Sequence, residues 1–176
     1  MRLLSRFRRD QRGVSAVEFA FIAPVLILIY FSVAELSQAM LAERKVAHAA
    51  SAVGDLVAQT GTTTKSGLTD VYAAATSVLS PFSATPLQLR VTSVKTDANN
   101  AATVDWSNAT GMTQLSNGAS VTLPTNLLAA NQYVIMAEAK YTYTSPLSSL
   151  FKTPIVFDQT FYLRPRMTQS VICSDC

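Results

Sequence analysis

The sequence predicts an α+β fold: one long N-terminal helix, a second short helix, and a small antiparallel β-sheet on which the exported part of the long helix packs. Two observations predict it. From Val14 to Gln59 apolar residues recur at helical spacing, and no proline occurs between Pro24 and Pro81. After Pro86 the spacing changes to two, the period of a strand with one buried face.

The first element begins as a membrane segment. Val14 to Ala34 is 21 residues with one charge, Glu18, about the length that crosses a hydrocarbon core of roughly 30 Å. Before it stand Arg2, Arg6, Arg8, Arg9 and Arg12, opposed only by Asp10. Such a cluster stays cytoplasmic, so the residues after about Ser37 are exported. From Leu41 onward nine Lys/Arg nearly balance eight Asp/Glu, and no basic patch marks a nucleic-acid partner. With 49% hydrophobic and 14% charged residues the chain is not disordered.

The helix continues beyond the membrane. Ala42, Val46, Ala49, Ala50, Val53, Leu56 and Val57 form an apolar stripe, while Glu43, Arg44, His48, Ser51, Asp55 and Gln59 take other faces. As one helix, Val14 to Gln59 extends about 70 Å. "TGTTTKSG" at residues 60–67 breaks it. A second helix follows, capped by Thr69 or Asp70, with Leu68, Val71, Tyr72, Ala75, Val78, Leu79 and Phe82 at helical spacing; Ser80–Pro81 ends it. "LQLRVTSVKTD", "ATVDWSNA", "GASVTLP", "NQYVIMAEAKYTYTS" and "IVFDQTFYLRPR" then read as extended pieces joined by turns such as "DANN". In the fourth, Tyr133, Ile135, Ala137, Ala139, Tyr141 and Tyr143 share one face. Helices on one side of such a sheet give an α+β domain.

Three readings compete for residues 1–40. A cleaved secretory signal has its arginines, its apolar core and "SVA" before Glu35, but the run is long and Pro24 falls early in it. A plain single-pass anchor must hold Glu18 one turn inside. A mid-membrane carboxylate costs about 2.5 to 3.5 kcal/mol, less near the interface, and snorkelling toward water reduces it. The third reading uses Gly13 together with "VSAVEF", which places Glu18 fifth and Phe19 sixth after the glycine.

That arrangement resembles the cleavage signal of type IV prepilins of the Flp/Tad subclass: a basic leader, a glycine, then glutamate at the fifth mature position before a long apolar stretch. The resemblance implies that a membrane aspartyl prepilin peptidase cuts between Gly13 and Val14 on the cytoplasmic face, and that the apolar stretch becomes the start of the mature helix. Glycine suits a tight protease cleft. Cleavage creates an α-amine on Val14, with an unperturbed pKa of about 7.7 to 8.0. Pairing of that amine with a neighbouring subunit's Glu18 offsets part of the cost of burying the carboxylate.

With "LRVTSV", "VDWS", "GASVTLP", "YVIMAEAKYTYT" and "TFYLRPR" following in order, the chain resembles the TadE-like family of minor pseudopilins along nearly its whole length. The resemblance implies a pilin-like arrangement of residues 1–13 as leader, 14–38 as the transmembrane part of the helix, and 39–176 as a periplasmic α+β domain. It implies assembly or priming of a Flp/Tad pilus through other pilins or pseudopilins and the inner-membrane assembly platform. Where the major Flp pilin has Tyr after the glutamate this chain has Phe19, and it is far longer than a major subunit; both departures favour a minor pseudopilin. The alternative from another class is a periplasmic binding or adaptor domain on a simple anchor, and processing at Gly13 separates the two.

No catalytic, cofactor or metal set is expected. The one histidine, His48, lies on the polar side of a helix, and no nucleophile elbow or phosphate loop occurs. No small-molecule substrate is expected either. Cys173 and Cys176 form "CSDC" in the exported part, where a small structural disulfide is expected, since a thioredoxin-like role needs a βαβ core and a zinc site needs more ligands. "NAT" at residues 108–110 matches a glycosylation acceptor but occurs often by chance. The aromatics Tyr133, Tyr141, Tyr143, Phe157, Phe161 and Tyr162 form either a binding surface or, with better support, core and cross-strand pairs.

Overall fold

The computed structural model describes residues 13–145 and 153–176. The basic leader read at residues 1–12 lies outside them. The chain divides into two compact units, Met1–Ala39 and Met40–Cys176. Helix α1 spans Val14–Ala58 and contributes to both.

In the second unit the stripe read from the sequence is buried: Ala42, Val46, Ala49, Ala50, Val53 and Val57 lose essentially all contact with solvent. Each such valine contributes about 1.5 to 3 kcal/mol. Leu56, counted in the stripe, stays exposed. The stripe faces a four-stranded antiparallel sheet of β2 (Leu87–Thr96), β3 (Ala102–Thr110), β4 (Tyr133–Tyr143) and β5 (Ile155–Leu163), in the order β3-β2-β4-β5. The close approach is made at Gly54, over Ala137 and Leu163.

Helix α2 (Lys65–Val78) buries Leu68, Tyr72 and Ala75. Its cap is Thr64, whose Oγ1 accepts from the Gly67 amide at 3.1 Å, not Thr69 or Asp70. The run of threonines in "TGTTTKSG" offers several capping oxygens, and the helix takes an early one because Leu68 must fall on its buried face. It ends before Phe82, with Lys45 Nζ donating to the Val78 carbonyl at 3.0 Å, a cation at a helix C-terminus.

The sheet is buried on both faces over part of its area. Leu89 pairs with Ala139, Val91 with Ala137 and Ser93 with Ile135, and this parity faces the helices. The opposite parity brings Val94, Val134 and Met136 together under Leu115, Val121, Leu123 and Leu128 of the long β3–β4 connection, with Tyr162 of β5 beside them. "GASVTLP" lies in that connection. It makes one isolated bridge, Ser120 to Thr103, and backbone bonds from Val104 N to Ala119 O and Val121 N to Ala102 O. Gly118, at φ +77°, turns the chain on one side and Pro124 cannot donate on the other, so no full strand forms.

Two further strands have no sequence period. β1 (Thr62–Thr63) and β6 (Ile172–Cys173) pair in parallel.

Candidate functional site

The start of α1 carries Val14, Glu18 and Phe19, with Gly13 just before it. Val14 and Glu18 are four residues apart and so lie on one helix face. Among the described residues, a Cβ built on Gly13 meets nothing within 4 Å. From Phe19 to Ala34 the helix is apolar on every side except at Ser32. Phe19, Phe21 and Tyr30 are 68%, 75% and 69% exposed, and Val25 to Ile29 are exposed throughout. A helix apolar all round is stable only inside lipid or against other protein. Glu18 is exposed too, and has no ion-pair partner among the described residues. Ser32 and Ser37 donate to the Leu28 and Val33 carbonyls at 2.8 and 2.9 Å, which satisfies their hydroxyls within the helix. By length and composition α1 can cross a membrane.

The second unit holds the other sequence-read site. A disulfide joins Cys173 and Cys176, with their Cα atoms 5.6 Å apart. Cys173, Asp175 and Cys176 bring two sulfurs and a carboxylate within 4.8 Å, but both sulfurs are spent in the disulfide. The Asp175 carboxylate accepts from the Lys65 amide at 2.8 Å, the first residue of α2. Trp106 Nε1, from the inner face of β3, donates to the Val171 carbonyl at 2.7 Å in a buried bond.

The aromatics divide between faces. Tyr141 and Tyr143 are buried, with the Tyr141 hydroxyl on the Ser83 carbonyl at 3.0 Å and Tyr143 packed edge-on to Phe82. Phe157 tilts against Tyr143, and Tyr162 serves the opposite face. By register Tyr133 and Phe161 share the inner face with Tyr141, Tyr143 and Phe157, where Phe157 pairs with Tyr141 and packs against Tyr143, and Tyr162 has the opposite parity. Asn108, of the glycosylation-like triplet, is buried within β3.

A groove of about 570 Å³ lies between α2 and β2–β3, with Lys65, Thr69, Tyr72 and Asn108 among its lining. The Tyr72 hydroxyl donates to the Asn108 carbonyl at 2.8 Å, and burial pushes its phenol well above the usual tyrosine range. On the outer face of the sheet, Arg90 clamps Glu138 through Nε–Oε2 at 2.6 Å and Nη2–Oε1 at 2.7 Å, and its Nη1 donates to the Thr113 carbonyl. Bonding to Glu138 holds the guanidinium above its ordinary value. These groups are tied to one another and form no nucleophile–base pair.

The model of the family described as TadE-like protein matches residues 13–55, about a quarter of the chain. The helix is TadE-like. The matched TadE-like segment starts at Gly13, includes Val14, Glu18 and Phe19, and ends on the last buried turns of α1. It supports a Tad-pilus-associated protein anchored in a membrane through its N-terminal apolar helix. Neither the comparison with curated proteins nor that with solved structures finds a match.

Sequence reasoning missed Asp175 and Trp106 as parts of a site. Their partners, Lys65 and Val171, lie 110 and 65 residues away along the chain. Only the acidic residue between the two cysteines gave a signal.

Proposed function

We propose that this chain is a minor pseudopilin that assembles or primes a Flp/Tad pilus. In this reading a prepilin peptidase cuts after Gly13. The N-terminus stays on the cytoplasmic side of a bacterial inner membrane, and the domain from residue 39 lies in the periplasm. The mature helix then meets other pilins or pseudopilins and the assembly platform, and the protein can enter the fibre. It works by contact and not by catalysis, with no cofactor, metal, nucleic acid or small-molecule substrate.

The observation that carries the reading is the TadE-like helix itself: opened by Gly13, with the Glu18 carboxylate a turn inside and an exposed apolar run from Phe19 to Ala34. A plain anchor needs the apolar length but neither the glycine nor the carboxylate.

The test is the mass of the N-terminal peptide of membrane-extracted protein. A chain beginning "VSAVEF" is the expected result. A start at Met1 favours the anchored adaptor, and a start at Glu35 favours a secretory signal; either overturns the reading.

A further inference from the structure

We propose that the Cys173–Cys176 disulfide is a redox latch: it holds residues 173–176 in the geometry that docks the 171–176 strap on the start of α2 and the inner face of β3, and its reduction loosens that docking. All of the groups lie in the second unit, so the inference is independent of what happens at Gly13.

The strap is held at four points. Ile172 N donates to the Gly61 carbonyl and Ser174 N to that of Thr63, each at 3.2 Å. Trp106 Nε1 holds the Val171 carbonyl, and Asp175 holds the Lys65 amide. The pairing of β1 with β6 is only two residues long; such a ladder is marginal without support. The disulfide supplies that support. It closes a ring containing both the strand residue Cys173 and the capping residue Asp175, so strand and cap are fixed in one geometry. α2 has no acidic residue in its own first turn. Asp175 therefore brings from outside the negative charge that a helix N-terminus favours. Without the ring, Asp175 must find Lys65 as part of a flexible segment, against the entropy of ordering it.

The chemistry is a two-electron exchange with a dithiol. One thiolate of the dithiol attacks a sulfur of the pair, giving a mixed disulfide and a cysteine thiolate. The second thiol of the reductant then displaces the other cysteine. The products are two cysteine thiols and the oxidised dithiol as a disulfide, with the two protons of the dithiol passing to the cysteines. Cys176 is exposed and Cys173 half-buried, so attack falls on Cys176 and Cys173 is the first sulfur to leave. Its Sγ lies 3.6 Å from Asp175 Oδ1. A thiolate forming there meets a carboxylate and is disfavoured, which makes it a poorer leaving group. Asp175 has two jobs: it accepts from the first amide of α2 and it protects the latch. Opening the strap uncovers Trp106, which is 6% exposed when it is closed.

The experiment uses the full chain in detergent, oxidised or treated with dithiothreitol. Hydrogen exchange is followed on the peptide covering residues 170–176, and fluorescence reports on Trp106, the one tryptophan of the chain. Reduction is expected to raise exchange in the strap by roughly tenfold or more and to shift Trp106 emission to the red, with β4 unchanged. The double variant Cys173→Ser/Cys176→Ser should match the reduced protein without any reductant. Asp175→Asn, which keeps an oxygen for the Lys65 amide, should be reduced several-fold faster by the same dithiol. Equal strap exchange in the oxidised and reduced wild-type protein overturns the latch, even if the double variant fails to fold. Equal reduction rates of wild type and Asp175→Asn overturn the protective role of the carboxylate.

Discussion

Gly54 of α1 lies over Ala137 of β4: a Cβ built on the glycine stands 3.0 Å from the Ala137 Cβ and closer still to the Leu163 side chain. The helix can approach the sheet here because both residues are small. A glycine inside a helix otherwise costs about 1 kcal/mol relative to alanine, and this one sits where a Cβ would meet the sheet. Gly54→Ala should lose about 1 kcal/mol, since the helix gains propensity and Leu163 can swing its terminal methyl aside, but the 3.0 Å approach to the Ala137 Cβ must still be eased. Gly54→Val should lose about 2 to 3 kcal/mol, because Ala137 cannot move without the strand. Denaturant unfolding in detergent, followed at Trp106, gives both numbers. Equal stability for the two variants would show that the contact is not tight.

The Arg90–Glu138 clamp joins neighbouring strands β2 and β4, with side chains 18% and 17% exposed. Its value lies in paired geometry as well as charge. Arg90→Lys keeps the charge but loses the fork and the bond to the Thr113 carbonyl, and should cost about 1 to 2 kcal/mol. Glu138→Gln leaves the guanidinium half-buried without its counter-ion and should cost about 2 to 3 kcal/mol. The same unfolding measurement decides. A loss below about 0.5 kcal/mol in both variants is what a solvated surface pair would give.

Much of this fold was legible because most of its elements are periodic. The stripe from Ala42 to Val57 announced a helix and its buried face, and alternation in Leu87, Leu89 and Val91 announced a strand. The opposite face of the sheet was not legible. Val134 and Met136 read as outward residues on β4, yet the β3–β4 connection folds over them with Leu115 and Leu128. Such a cover has no period, so nothing local in the sequence reveals it. The same holds for β1 and β6, which are too short to alternate. At the candidate sites the residues of the TadE-like helix follow one another in sequence and could be read together. Asp175 and Lys65 meet only through the fold.

Tyr72 should make stability fall in alkali. Burial raises its phenol above the usual value, which is about 10. A neutral group whose folded pKa is raised contributes stability that is fully present below the unfolded value and lost as pH rises through the folded one. Unfolding free energy should therefore decline from about pH 10 upward, where the unfolded phenol ionises and the folded one does not. Tyr72→Phe should lose about 1 kcal/mol at neutral pH, the worth of the bond to the Asn108 carbonyl, and show a shallower alkaline decline. Parallel pH profiles for wild type and Tyr72→Phe would assign the decline to other groups.

At the start of α1 the carboxylate of Glu18 should matter for assembly and little for cleavage. If a prepilin peptidase cuts after Gly13 as proposed, it must seat the flanking residues, so Gly13→Leu should block processing by steric exclusion and leave the leader attached. Glu18→Gln keeps the shape and removes the charge. It should be cut normally, and the new Val14 amine of a neighbouring subunit should then lack its partner. Losing one member of a desolvated pair costs about 3 to 5 kcal/mol when the other charge is stranded, and less where water reaches the interface. Blocking the Val14 amine chemically removes the other member. If the two groups pair, the double change should cost little more than either change alone. Cleavage is read from the N-terminal peptide mass; assembly is read from crosslinking to other pilus components and from surface pili. A Glu18→Gln protein that is cut, crosslinks and supports pili as wild type does would make the carboxylate a tolerated residue snorkelling to the interface, with no part in pairing.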